Sequence, residues 1–429
     1  MTSINSILAA FGIILLDLVM RAGLDKVLAY TGGPSLVGLW AQLQSVAELV
    51  GAVAIAGVTQ GLTVMVAQAR NANEECSVLR SALKLSLGTS VAVALVAVLL
   101  SPMLANWLTQ GRIGWGLFPI AAAAGCILVI PATLNAYWLG KHMQQRMLGL
   151  ALVTSTVWLA IAAGAWQGLG LQGMIMLQII ALLLLAVPVW CHLVKLSRRG
   201  NEMEQGRAGF GKLSRFVPVG LTIGLMSPVS MLLIRGQLSG SLSWDQVGIL
   251  QALWRSTEWV TSTAAGFLTL IFLPRFSSTF ATDRFRMEVT RAAITMLIPA
   301  ALLLLLIFLN QRIVLSGLYD PRFAVNDRTA MLFLLGCWMR IASWVFLFGL
   351  YAAHRTLLIM AGEFLSLPLF AFLLWMLADG MTLERAAGLY LVSYIVYFCF
   401  NGIALIWFSR NPDQMKDIPV ALDTQDRVP

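Results

Sequence analysis

Residues 37–54 read VGLWAQLQSVAELVGAVA and residues 247–264 read VGILQALWRSTEWVTSTA. Aligned at a spacing of 210, the two stretches share Val37/Val247, Gly38/Gly248, Leu43/Leu253, Glu48/Glu258, Val50/Val260 and Ala54/Ala264. Most of these matches say little in an apolar chain, but one of them is a glutamate inside a hydrophobic run. Two similar halves that bring an acid to corresponding membrane positions describe a transporter with its path between the halves.

Composition sets the fold class. Of 429 residues, 59% are apolar and only 11% are charged, a balance that belongs to a membrane and not to water. The apolar runs continue for about 20 residues and do not alternate, so the spanning elements are helices and not barrel strands. An all-α polytopic membrane protein is expected, with twelve spans near 5–30, 34–69, 80–109, 114–140, 144–166, 171–196, 213–238, 242–274, 287–311, 326–353, 357–378 and 385–409. The longest polar interruption runs from Lys195 to Lys212. It divides the chain into an N-terminal lobe (1–198), a linker (199–212), a C-terminal lobe (213–410) and a polar tail (411–429), with a central cavity between the two six-helix lobes. The first apolar run proceeds into Asp17 and Arg21 without a small-residue cleavage site, so it is expected to remain as a span.

Lys and Arg set the orientation. Nineteen fall in the even-numbered connections and the tail, against six on the other side, at Arg112, Arg235, Arg312, Arg322, Arg328 and Arg385. Both termini are therefore expected in the cytoplasm. Six spans per half make the repeats parallel, related by an axis along the membrane normal. The net charge of +9 follows this loop distribution, which argues against a nucleic-acid surface. Prolines at 131, 188, 218, 228, 274, 299 and 368 and glycines at 51, 57 and 61 bend or weaken spans. Gly57/Gly61 and Gly220/Gly224 form small-xxx-small pairs that close helix packing alone explains.

Charge inside the spans carries the functional reading. Arg21, Lys26, Arg255 and Arg340 lie within apolar runs, and Arg235 lies near the outer end of the seventh. At the bilayer centre each costs roughly 2.5 to 3.5 kcal/mol on insertion scales, so each is expected to face a wet cavity or a partner. Asp17, Arg21 and Asp25 are four apart and permit an ion ladder along the first helix, which competes with a ligand role for Arg21. Arg255 and Glu258, three apart, can neutralise one another. Arg340 has no local acid and is flanked by Trp338 and Trp344, which makes it the leading candidate to bind an anion. Facing halves would bring Lys26, Arg235, Arg255 and Arg340 to one cavity, where guanidinium forks match the oxygens of a pyrophosphate. Trp254, Trp259, Trp338, Trp344, Tyr351, Tyr390, Tyr394 and Tyr397 offer faces for sugars, although the tyrosines at helical spacing also read as packing.

Other chemistry is excluded. Five scattered cysteines (Cys76, Cys126, Cys191, Cys337, Cys399) and three histidines give neither a zinc site nor a disulfide framework. No nucleotide-binding loop is present, so no cofactor is expected and the driving force is a proton gradient, a sodium gradient or that of the substrate. Asp17, Glu48, Glu258 and Glu363 are the candidate coupling-ion sites or counter-ions.

Specific residues also carry a family resemblance. Lys26-Val27-Leu28-Ala29, Gly33-Pro34, Gly38-Leu39, Gly51, Ala56-Gly57, Gly61 and Val66-Ala67-Gln68 resemble the opening of the bacterial lipid-linked oligosaccharide flippases of the Wzx type. Ser214, Phe216, Pro228, Arg235, Ser243-Trp244-Asp245-Gln246-Val247-Gly248, Gln251, Leu273-Pro274, Glu363 and Tyr394-Ile395-Val396-Tyr397-Phe398 extend the resemblance across nearly the whole chain. Glu48 and Arg255 depart from that pattern. The resemblance implies the multidrug/oligosaccharidyl-lipid/polysaccharide exporter fold and the bacterial inner membrane. It also implies export of undecaprenyl-diphosphate-linked repeat units of O-antigen or enterobacterial common antigen type, as in lipopolysaccharide biosynthesis. A polysaccharide polymerase and a chain-length regulator are the protein partners it suggests, beside membrane lipid. Lys26, Arg235 and Arg340 fall where its pattern has a basic residue, with Arg340 replacing a lysine. Two other readings stay open: an ion-coupled multidrug antiporter, and a membrane polymerase or glycosyltransferase acting on the same lipid.

Overall fold

The computed structural model describes residues 4–55, 57–69, 71–141, 143–198, 213, 217–280, 284–353 and 355–410. The linker, the tail, and Ser214 and Phe216 of the resemblance lie outside the described residues. Every regular element among those described is helical. The first half comprises α1 (Ile4–Ile55), α2 (Val58–Gln68), α3 (Ala72–Thr109), α4 (Leu117–Gly140), α5 (Gln144–Trp166) and α6 (Gly170–Ser197). The second comprises α7 (Val217–Ser241), α8 (Trp244–Phe267), a π-helical turn (Leu268–Phe272), α9 (Leu273–Thr279), α10 (Arg284–Leu309), α11 (Gln311–Leu318), a 3-10 turn (Pro321–Phe323), α12 (Asp327–Ala352), α13 (Thr356–Phe364), α14 (Leu367–Met376) and α15 (Leu383–Arg410).

Among the described residues, ten helical stretches are long and apolar enough to cross a membrane. The first, Leu15–Ile55, contains parts of two expected spans. At 52 residues α1 is far too long for a single crossing of a hydrocarbon core about 30 Å thick. The chain turns at Gly33, whose φ of 67° and ψ of −166° are open to glycine and disfavoured for residues with a Cβ, and Pro34 restarts the helix. The seventh expected span is α7, whose 25 residues are sufficient to cross. These assignments give twelve crossings in two six-helix lobes.

Three spans are less regular than their apolar runs suggest. The second is cut at Gly57, where φ is 74°, leaving α2 as a short separate helix. The eighth runs through the π-helical turn into α9. The eleventh breaks between α13 and α14 at Ser366, just before Pro368.

Within the first lobe α1 packs on α4 and α5, and α6 packs on α4 and α5; in the second lobe α12 and α15 form an extended parallel contact, Gly336 against Tyr390 and Gly349 against Leu405. The lobes meet where α1 crosses α7 and α8. Outward faces are apolar: Leu95, Leu99 and Met103 on α3, and Leu302, Leu306 and Leu309 on α10, are exposed as lipid contact requires.

Candidate functional site

Three connected chambers lie between the lobes. The largest, about 720 Å³, is lined by Asp17 and Arg21 of α1, Asn135 of α4, Trp158 of α5 and Glu258 of α8. Its walls include Asn135 near the end of α4, Met147 near the start of α5, and Thr269 and Leu270 in the π-helical turn. It therefore lies toward the end of the bundle that carries the α4–α5 and α6–α7 connections, the basic end of the topology count. A second chamber of about 260 Å³ continues deeper, bounded by Ser45, Glu48, Arg235, Gln251, Arg255 and Arg340. A third of about 50 Å³ reaches Asp25, Trp40 and Gln44.

At the opposite end the lobes are sealed by residues of the repeat. Gly38 and Gly248, partners at the 210 spacing, pack backbone to backbone; a Cβ on Gly38 would lie 3.1 Å from the Gly248 amide nitrogen. Three positions earlier the same register pairs Ser35 with Asp245, whose Oδ1 accepts from the Ser35 amide (3.1 Å) and hydroxyl (2.7 Å). Gln42 Nε2 reaches the Leu232 carbonyl at 3.2 Å. Arg322 donates to the Ala29 carbonyl at 3.0 Å and to Asp320 at 2.8 Å. Hydrogen bonds from the Arg322 side chain and backbone hold the half-buried Asp320 carboxyl below the usual carboxylate range. The cavity is thus closed at one end and recessed from the other.

Four arginines and four carboxylates line the chambers, so their formal charges balance. The pairing is uneven. Arg21 bonds Asp17 (2.9 Å), lies 3.8 Å from Glu48 and sits over the Trp158 ring at 5.2 Å. Arg255 bonds Asp25 across the lobe boundary (2.9 Å) and pairs with Glu258 on its own helix. The ion ladder expected along the first helix is therefore incomplete, because Asp25 turns to Arg255 and not to Arg21. Arg235 and Arg340 have no carboxylate within ion-pair distance among the described residues. Arg235, 5% exposed, donates to the Ala41 carbonyl (2.9 Å), Ser45 Oγ (2.6 Å) and Gln251 Oε1 (2.7 Å). Arg340 lies over Trp344 at 4.7 Å and near Tyr394 at 5.8 Å. Positive charge without a paired carboxylate is thus concentrated in the second chamber.

Several residues singled out in the sequence lie elsewhere. Lys26 is exposed at the sealed end, where Nζ donates to the Gly317 carbonyl at 2.6 Å. Tyr390, Tyr394 and Tyr397 are buried in the second lobe, and Tyr397 donates to Glu363 at 2.9 Å. Trp338 donates to the Leu297 carbonyl at 3.1 Å, while Trp254 stands edge-on to Phe333 and Tyr390 and only borders the second chamber. The cavity's large aromatic surfaces are Trp344 and Trp158, and the sequence reading passed over Trp158. It also passed over Ser45, Asn135, and Gln44 with its partner Gln178 at 3.0 Å. Polar side chains one or two turns from Glu48 in an apolar helix were the available signal.

No family model matches the chain. Among curated proteins it is 26% identical over 405 residues to the Lipid III flippase of Escherichia coli (strain K12) and equally to that of Shigella flexneri, covering 90% of this chain and 94% of theirs. Among solved structures it superposes on an inward-facing MATE family transporter of the MOP superfamily with a TM-score of 0.72, at 10% identity, over 95% of this chain and 96% of the other. It has the fold of the MOP superfamily transporters. The lipid II flippase MurJ, in an inward closed conformation, shares that fold at a TM-score of 0.68 and 12% identity, over 97% of this chain and 93% of MurJ. These relatives and neighbours are transporters, and this chain is a transporter and not an enzyme. The resemblance to lipid-linked oligosaccharide flippases, read first from scattered motifs, extends through the curated relatives over nearly the whole chain.

Proposed function

We propose that this protein is a flippase for polyprenyl-diphosphate-linked oligosaccharides, moving a repeat unit of O-antigen or enterobacterial common antigen type across the bacterial inner membrane by alternating access. The observation that carries this reading is the second chamber, where Arg235 and Arg340 face polar space without carboxylate partners. A guanidinium so placed can donate to phosphate oxygens without first surrendering an ion pair. Arg21 and Arg255, each already paired, would meet the headgroup only by exchanging a carboxylate for it. The 720 Å³ chamber holds the glycan, with Trp158 as a face for a sugar ring. On this reading the basic end is cytoplasmic, and proton or sodium coupling falls to Asp17, Glu48, Glu258 or Glu363.

The balanced charge of the cavity keeps the drug-antiporter reading in view, since Asp17, Glu48 and Glu258 suit a cationic ligand as well as they suit arginines. Arg340→Ala separates the two. It should abolish surface glycan export while leaving the protein at its normal level in the membrane and drug sensitivity unchanged. Unaltered surface glycan, or a change in drug sensitivity alone, would overturn the flippase reading.

A further inference from the structure

Arg235 combines properties that a ligand-binding role alone does not require. Its side chain is buried, its charge rests on three neutral acceptors, and its Nε has no hydrogen-bond partner although it is shielded from solvent. A buried charge left on neutral groups is a costly arrangement that apolar packing would improve upon. Two of its three acceptors, Ala41 and Ser45, belong to α1 in the first lobe, while Arg235 itself stands on α7 in the second. It is therefore part of the same seam as Gln42 with Leu232, Gly38 with Gly248, and Ser35 with Asp245. Unlike those contacts, the guanidinium also lines the second and third chambers.

We infer that Arg235 couples occupancy of the cavity to opening of its sealed end: the guanidinium that meets the substrate's diphosphate is the one that holds the lobes together beyond it. A diphosphate in the second chamber offers charged oxygens, which are stronger acceptors than a carbonyl, a hydroxyl and an amide. As the guanidinium turns to them, it leaves Ala41 and Ser45, and the seam loses its innermost bonds. Release on anion binding and tighter anion binding on release are then two sides of a single linkage. The inference rests on the flippase reading above.

Spin labels at Arg112→Cys and Asp379→Cys, exposed at the sealed ends of the two lobes, report the opening by pulsed dipolar spectroscopy. The native cysteines are replaced, the protein is held in lipid nanodiscs, and the probe is undecaprenyl diphosphate. Adding the probe should lengthen the distance. Arg235→Ala should lengthen it without probe and remove the response to probe. Arg235→Lys, which keeps the charge without the fork, should open the apo protein and still bind. Gln251→Leu, which removes one acceptor and leaves the arginine, should raise probe affinity about tenfold. An Arg235→Ala protein with wild-type apo distances, or one that still opens with probe, would overturn the coupling role. If the wild-type protein fails to bind the probe, the flippase reading falls and takes this inference with it; binding without any lengthening defeats the inference alone.

Discussion

The Gly38–Gly248 crossing can be wedged open by one methyl group. A Cβ on Gly248 would lie 2.9 Å from Pro34 Cα and closer still to the Pro34 carbonyl, below the 3.0 Å that Cβ atoms essentially never breach. The obstruction is backbone on the facing helix, which cannot rotate aside as a long side chain would. To restore contact, α1 and α8 must separate by on the order of 1 Å, and overpacking of this kind costs about 1 to 3 kcal/mol. That penalty applies only where the crossing is closed, so Gly248→Ala should shift the population toward an open far end by roughly 5- to 150-fold. A cysteine at Ser45, buried beneath the seam, reports the shift through its reaction with a membrane-impermeant maleimide added outside intact cells. Gly248→Ala should accelerate labelling strongly, and Gly224→Ala, whose added Cβ meets only Ala52 Cβ at 3.5 Å, should not. Equal labelling of the Gly248→Ala and parent proteins at equal abundance would refute the assignment of this crossing as the seal.

Asp25→Ala breaks the buried cross-lobe pair with Arg255 and should lower stability by about 3 kcal/mol, the low end for such pairs because Glu258 remains as a partner; Arg255→Leu added to it should recover part of the lost melting temperature in detergent, and an unchanged melting temperature for Asp25→Ala would contradict the pairing. Asp320 gives the sealed end an acid response. Its carboxyl is held below the usual range, so its contribution is complete above the unfolded value near about 3.9 and disappears as pH falls through the lowered one. Maleimide labelling under the seam should therefore be flat from neutral to mildly acidic pH and rise only in strong acid, and Asp320→Asn should be fast throughout. A step near neutral pH would point to another group.

The spans were legible because a membrane helix must be apolar along its whole length, a signal that survives errors in individual residues. The weakness of the second span at Gly51, Gly57 and Gly61 was legible too, but not that the helix is cut at Gly57, since one glycine in an apolar run costs only about 1 kcal/mol and packing decides whether it breaks. The pairing of charges divides along the same line. Arg21 with Asp17 and Arg255 with Glu258 follow from helical spacing, whereas Arg255 with Asp25 and Arg21 with Glu48 join segments brought together only by the fold. Spacing placed Tyr390, Tyr394 and Tyr397 on one helix face and left open whether that face meets sugar or protein; it meets the core of the second lobe. The 210-residue repeat showed that two segments are alike. That its equivalent members, Gly38 with Gly248 and Ser35 with Asp245, touch each other is a property of the pseudo-symmetry axis, which no local pattern encodes.

Transbilayer movement by the purified protein is the most direct test of the transport assigned to the arginine-lined chamber. A fluorescent undecaprenyl-diphosphate oligosaccharide is placed in liposomes containing the protein, and its appearance in the opposite leaflet is followed by a membrane-impermeant quencher with and without a proton or sodium gradient. The wild-type protein should move the lipid well above the rate of empty liposomes, while Arg340→Ala should fall to that background. Movement by the wild type no faster than in protein-free liposomes under every gradient, or undiminished movement by Arg340→Ala, would contradict the proposed function.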